Sequence, residues 1–145
     1  MIARYDFATP AYDEAVALRD AVLRRPLGRR IADDDLAAEV AQVHFGYFDD
    51  GRLVGTASLQ SVGDGGALKM RQVAVAHEAR GRGVGRVLVE ACEAYAKTRH
   101  TARLYCHARA VAREFYERCG WRVEGEGFEE VGLPHFRMVS TAAEG

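Results

Sequence analysis

Arg80-Gly81-Arg82-Gly83-Val84-Gly85-Arg86 sets three glycines among three arginines within seven positions. A strand-like run, Leu68 to Ala76, leads into it, and a helix-like run, Val84 to Thr98, leads out. In the helical run Val84, Val87, Leu88, Ala91 and Tyr95 recur on one face, while Arg86, Glu90, Glu93 and Lys97 fall mostly elsewhere. A glycine-rich turn that opens a helix leaves backbone N–H groups without internal partners, at the positive end of the helix dipole. Such a turn suits a phosphate or pyrophosphate. The same residues also fit a turn that needs only positive φ and close packing.

The order of the glycines narrows the ligand. A Walker loop ends in Gly-Lys-Ser or Gly-Lys-Thr, and Arg86-Val87 supplies neither. A dinucleotide fingerprint reads G-x-G-x-x-G, with an acidic residue near the end of the next strand. Here the order is G-x-G-x-G, and the next strand, Arg103 to His107, ends in Cys106-His107 without a carboxylate. An NAD-linked enzyme is therefore disfavoured.

The rest of the chain reads as one domain over residues 1–145, with 48% hydrophobic and 28% charged residues. A net charge of −1 does not suggest nucleic acid, and the arginines of the loop form a local patch. No apolar run approaches the roughly 20 residues that cross a bilayer, so no membrane is expected. Met1 to Phe7 reads as a strand rather than a signal peptide. Cys92, Cys106 and Cys119 form an odd set without metal-ligand spacing, which fits a reduced, cytoplasmic setting, with Cys92 in the core. The five histidines lack paired spacing for zinc, so no metal is expected.

Ile2 to Phe7 is the first expected strand. Thr9-Pro10 is a helix start, a capping side chain followed by proline, with Ala11, Ala15, Leu18 and Val22 on one face and Pro26 and Gly28 at the end. Asp33-Asp34-Asp35 precedes a short helix, Leu36 to Ala41, which the carboxylates would cap. Val43 to Phe48 and Arg52 to Ser61 are strands joined by the hairpin signal Asp49-Asp50-Gly51. Gly63-Asp64-Gly65-Gly66 turns the chain into the strand before the loop. Ala102 to His107 is a strand, and Val111 to Cys119 a helix stopped by Gly120. Trp121 to Glu130 and His135 to Thr141 are the last strands, and Ala142 to Gly145 a frayed end.

Arg80, Gly83 and Gly85 form the pattern Arg-x-x-Gly-x-Gly, which resembles the acyl-CoA loop of the GNAT acetyltransferase superfamily. Gln72-Val73-Ala74-Val75 resembles the family strand that pairs with the pantetheine arm. Phe115-Tyr116-Glu117-Arg118-Cys119-Gly120-Trp121 resembles the second family motif, F-Y-x-x-x-G-F, with Trp121 in place of Phe. Phe128 to Met138 resembles the ElaA-like branch of small bacterial GNAT proteins. The resemblance covers about residues 40 to 140; the N-terminal third matches only in length and pattern.

The resemblance implies an α/β fold, a three-layer α/β/α sandwich around a mixed, mostly antiparallel seven-stranded sheet. It implies an N-acetyltransferase that moves the acetyl group of acetyl-CoA to a primary amine by direct attack in a ternary complex. The alternatives are an acyl-CoA-binding sensor with little turnover and a transferase for a longer acyl group. Acetyl-CoA is the implied co-substrate, with a small-molecule or protein amine as acceptor. Exposed sheet edges suit a homodimer.

By the same resemblance, backbone amides of Gly81, Arg82, Gly83, Val84, Gly85 and Arg86 cradle the pyrophosphate, with charge from Arg80, Arg82 and Arg86. Val73, Ala74 and Val75 carry the pantetheine arm as an added strand, with the side chains of Val73 and Val75 toward the core. The thioester then lies between the strand ending near Val73 and the strand ending near His107, and an N–H near Val73 faces the oxyanion. Tyr116, by its motif position, is the general acid for the departing thiolate; its competing reading is a packed helix aromatic beside Phe115. His107 stands where many GNAT sequences carry Asn and is a candidate base, a helix cap or a core residue. Glu129, Glu130 and His135 are alternative bases, and Glu129 and His135 border the acceptor pocket. Asp33 to Asp35 are set against a cationic acceptor or simple capping.

Overall fold

The computed structural model describes residues 1–63, 66–100 and 103–141, apart from the side chain of Asp33. The turn through Asp64 and Gly65, the expected strand start at Ala102 and the tail Ala142 to Gly145 lie outside the described residues. The strands are β1 (Ile2–Tyr5), β2 (Val43–Asp49), β3 (Arg52–Val62), β4 (Ala67–Val75), β5 (Arg103–Arg109), β6 (Trp121–Val123), β7 (Phe128–Glu130) and β8 (Leu133–Ser140). The α-helices are α1 (Pro10–Arg19), α2 (Val84–Thr98) and α3 (Arg113–Arg118). The sheet order is β1-β2-β3-β4-β5-β8-β6, with β7 also on β8. β4 and β5 pair in parallel; β1–β2, β2–β3, β5–β8, β6–β8 and β7–β8 pair antiparallel. The fold is thus a mixed, mostly antiparallel α/β sheet, with eight strands where seven were expected.

The extra strand comes from Glu124 to Gly127. The expected single strand from Trp121 to Glu130 is broken there, with Gly125 at φ +77°. β6 pairs with Met138 to Ser140 and β7 with Leu133 to His135, so both halves still share β8.

The chain forms two compact units: Met1–Gln60 with Gln72–Cys92, and Ser61–Arg71 with Glu93–Gly145. In the first unit, Thr9 caps α1 by accepting a hydrogen bond from the Tyr12 N–H at 3.3 Å, and Pro10 follows it. The helix then loosens into a π turn, Asp20–Arg24, and a 3-10 turn, Arg25–Leu27, which Gly28 closes at φ +70°. The deeply buried side chains of α1 are Tyr12, Ala15 and Arg19; Ala11, Leu18 and Val22 are only half-buried. Leu36–Ala41 is a 3-10 helix, and its cap residue Asp35 makes no side-chain cap bond. Asp34 instead receives the Arg24 guanidinium at 2.7 and 3.2 Å, so the capping expectation fails for both carboxylates. Asp50 at φ +49° and Gly51 at φ +78° join β2 to β3 as the two left-handed residues of a tight hairpin turn.

Arg19 and Glu39 form a buried fork at 2.7 Å on each arm, and the Tyr12 hydroxyl donates to the same carboxylate at 2.8 Å. Burial pushes the Glu39 carboxyl up, but the Arg19 fork and the Tyr12 hydroxyl outweigh it and hold it below its ordinary range. His44 joins the cluster through the Glu39 carbonyl at 3.1 Å and the Ser58 hydroxyl at 2.7 Å. Breaking such a buried pair by removing one partner costs about 3–5 kcal/mol.

In the second unit, Leu104, Cys106, Ala108, Tyr116, Trp121, Met138 and Val139 are buried. α3 ends at Arg118 with Cys119 as its cap, and Gly120 at φ +90° starts the turn to β6, as expected of a helix stop. Val111 and Ala112, the expected start of this helix, belong instead to a 3-10 turn, Ala110–Ala112.

Candidate active site

The end of β4, the glycine loop and the start of α2 form the candidate site of the first unit. α2 covers Val84–Thr98, the expected span. Its buried face is Val84, Leu88, Val89, Cys92 and Ala96, whereas Val87, Ala91 and Tyr95 are half-buried. The expected face is therefore turned toward the Val89–Cys92–Ala96 side. Gly55 on β3 makes the packing possible: a Cβ there would lie 2.8 Å from Val84 Cγ1 and 3.0 Å from Leu88 Cδ1. Burying a leucine such as Leu88 contributes about 2 kcal/mol.

The loop turns on two left-handed glycines, Gly81 at φ +76° and Gly83 at φ +79°. Extended Arg80 followed by left-handed Gly81 is the backbone a type II turn requires. The Val87 N–H reaches the Gly83 carbonyl at 3.1 Å, which makes Gly83 the residue before the first helical turn. The amides of Val84, Gly85 and Arg86 then have no acceptor within the helix. The arginines point elsewhere in this structure. Arg82 pairs with Asp49 at 3.1 Å and Arg86 with Glu90 at 3.4 Å, while Arg80 is exposed.

On β4, Ala74 is buried, and Val73 and Val75 are half-buried, so the expectation of two core-facing valines is shifted to the alanine between them. Gln72 has φ +58°, a left-handed residue inside a strand. Such a residue takes its neighbouring peptide out of the regular ladder. Its side chain is held: Arg24 Nη2 donates to Gln72 Oε1 at 3.1 Å while gripping Asp34. The parallel register between β4 and β5 covers Ala67–Lys69 against Arg103–Tyr105.

The second unit, described by itself, carries a group of titratable side chains. Tyr116 on α3 is buried, with its ring 5.0 Å from Phe115 and 5.5 Å from Trp121. Its hydroxyl hydrogen-bonds the buried Cys106 thiol, and burial pushes that thiol up to about 12. His107 sits within β5, which continues to Arg109, so it neither ends the strand nor caps a helix. Its Nδ1 lies 3.1 Å from Glu130 Oε1. Glu130 also faces His135, with Oε2 3.7 Å from Nε2. His135 is buried, and its Nδ1 donates to the Leu133 carbonyl at 2.9 Å. Phe128 lies edge-on to the His107 ring at 5.0 Å and stacks near His135 at 5.9 Å. Burial raises the Glu130 carboxyl, but His107, Lys69 and His135 hold it below the ordinary range. Burial and Arg71 push Lys69 below the usual lysine range. Among the described residues no group of three His, Cys, Asp or Glu side chains could hold a metal ion.

The structure thus brings His107, Glu130 and His135 together; Glu129 is exposed beside them. The tie between Glu130 and both histidines was not legible in the sequence. The signal available was the alternation along Phe128-Glu129-Glu130, which sends Phe128 and Glu130 to one face of β7.

Comparison with known proteins agrees with this architecture. The family described as Acetyltransferase (GNAT) domain matches residues 9–142. A Bacillus subtilis (strain 168) protein named "Putative acetyltransferase" is 34% identical over 86 residues, 59% of this chain and 57% of that protein. The chain spans less than two thirds of the curated relatives it matches, 57% of this one and 64% of another. Escherichia coli ElaA is similar at a TM-score of 0.81 and 23% identity, over 97% of this chain and 99% of that one. An aminoglycoside 6'-N-acetyltransferase complexed with coenzyme A is similar at a TM-score of 0.82 and 15% identity, over 97% of this chain and 96% of that one. These two likenesses are of fold. Because the family match runs through β4, the glycine loop and both later helices, the chain belongs to the GNAT acetyltransferase family.

Proposed function

We propose that this protein is an acyl-CoA-dependent N-acetyltransferase acting on a primary amine through a ternary complex. The observation that carries the reading is the loop from Arg80 to Arg86, whose left-handed Gly81 and Gly83 precede the amides of Val84, Gly85 and Arg86, which lack an acceptor within the helix. Those amides and the α2 dipole hold the pyrophosphate of acetyl-CoA. Arg80, Arg82 and Arg86 reinforce it, after Arg82 leaves Asp49 and Arg86 leaves Glu90. The pantetheine amides follow the backbone of Val73, Ala74 and Val75, and an N–H near Val73 receives the oxyanion.

Tyr116 acts as the general acid. A phenol keeps its proton at neutral pH and delivers it to the departing thiolate. Direct attack is favoured over a cysteinyl intermediate because burial holds the Cys106 thiol protonated, and a thiol without its thiolate is a poor nucleophile. His107 accepts the amine proton, and Glu129 and His135 border the acceptor.

A thiol-release assay with acetyl-CoA across a panel of amines tests the reading. Saturable turnover on at least one amine is expected. Saturable acetyl-CoA binding without turnover on any amine overturns it.

A further inference from the structure

Glu130 is reached from three strands. His107 comes from β5, His135 from β8, and Glu130 ends β7, where Val131 and Gly132 turn the chain at φ +49° and +74°. β7 and β8 pair through Phe128↔His135 and Glu130↔Leu133, so the hairpin fixes both side chains in one register. Phe128 lies against both imidazoles. The charged groups around His107 are Glu130 on β7, His135 and Arg137 on β8, and Lys69 on β4, which acts on Glu130.

The proton positions follow from donor counting. An ionised carboxylate only accepts, so the 3.1 Å contact requires the proton of a neutral His107 on Nδ1. Nε2 then holds the lone pair. The Leu133 carbonyl likewise takes the Nδ1 proton of His135, which leaves His135 Nε2 facing Glu130 as an acceptor or, when charged, a second donor. The Glu130 side chain is 43% exposed, so solvent weakens its pull on His107 as a plain surface ion pair. A plain surface pair does not require one carboxylate to face two imidazoles that share one aromatic neighbour.

We propose that Glu130 is a positioning residue that sets His107 in the Nδ1–H tautomer, so that Nε2 is the base for the attacking amine. This rests on the acetyl-transfer reading above. The acceptor first sheds its ammonium proton to solvent. Its nitrogen then bonds to the acetyl carbon, and the carbonyl π pair moves onto oxygen. Nε2 takes the remaining excess proton from nitrogen, and the resulting imidazolium is paired with Glu130. The oxyanion pair returns as the C–S bond breaks, and the thiolate takes the Tyr116 proton.

Two measurements test this. The first is ¹⁵N NMR of the imidazoles in the free protein, which needs no variant. It should show neutral His107 protonated at Nδ1; protonation at Nε2 overturns the proposal. The second is Glu130→Ala, read by ¹⁵N NMR and by turnover. Neutral His107 should lose its preference for the Nδ1 proton, kcat should fall about 10- to 100-fold, and the acetyl-CoA KM should stay within about twofold. His107→Gln should lower kcat at least as far. An unmoved tautomer or an unchanged kcat in Glu130→Ala overturns the positioning role while acetyl transfer stands. Failure of every amine as acceptor overturns the transferase reading and the proposal with it, whatever the tautomer.

Discussion

The glycine loop and the histidine–carboxylate cluster are built on opposite principles. The loop is seven consecutive residues, and the groups it offers are backbone amides aligned by Gly81 and Gly83. The cluster gathers side chains from positions 107, 130 and 135 on separate strands. A backbone site is written locally, so a short motif reveals it. A side-chain site depends on register, because a slip by one residue sends each side chain to the opposite face.

The largest expected effect strikes the backbone site. Gly83→Glu places a side chain at φ +79° and a negative charge where the proposed function seats the pyrophosphate; acetyl-CoA affinity should fall more than about 100-fold by calorimetry. Unchanged binding would break the donor half of the comparison. Next comes the scaffold of the same unit. Glu39→Gln leaves the buried Arg19 charge with only Asp34, 4.0 Å away, and unfolding in urea should show a loss of about 3 kcal/mol. Acid should act in the same direction. The depressed Glu39 carboxyl contributes its stability above the unfolded value near 4.3 and loses it as pH falls through the lower folded value. His44, which burial holds below its ordinary range, adds a loss that begins near pH 6.5 on the way down. A midpoint that does not change between pH 7 and pH 5 would contradict the His44 loss, and one that does not fall further below about pH 4 would contradict that of Glu39.

Tyr116→Phe should lower kcat about 100-fold while the acetyl-CoA KM stays put, since a general acid acts only in the transition state. Equal losses in both would return Tyr116 to a packing role beside Trp121. Arg82→Ala sharpens the contrast from the other side. If amides carry the donor loop, acetyl-CoA affinity should fall by no more than about tenfold, because Arg82 already has Asp49 as a partner. A loss as deep as that of Gly83→Glu would make the loop a side-chain site after all. The smallest effect concerns the cluster's hairpin. Val131 is β-branched at φ +49°, and Asn tolerates that region better, so Val131→Asn should raise stability by about 0.5 kcal/mol in thermal unfolding. A lower melting temperature would show that Val131 earns its place through contacts.

Legibility in the sequence followed the same division. Thr9-Pro10, the Asp50-Gly51 hairpin and the span of α2 are local, and each stands where the residues indicated. The buried face of α2 was legible only in part, because Val89, Cys92 and Ala96 are drawn inward by tertiary packing that periodicity does not specify. Glu124 to Gly127 divides one expected strand into two, since β8 can pair with both pieces. Asp34 was read as a cap, but Arg24, ten positions away, offers it a bidentate partner. Glu130 was one carboxylate among several until the β7–β8 register faced it toward both histidines.

The grip of Arg24 on Gln72 bears on how this chain can be re-engineered. Residues 20–41 lie in the N-terminal third, whose sequence matches the family only in length and pattern and therefore invites replacement. Yet that segment reaches 48 positions along the chain to hold a left-handed glutamine inside β4. A chimera that replaces it must carry its own Arg24–Asp34 pair, or exchange Gln72 for glycine, which adopts that backbone unaided. The segment that looks most interchangeable is bolted to the strand that is least so.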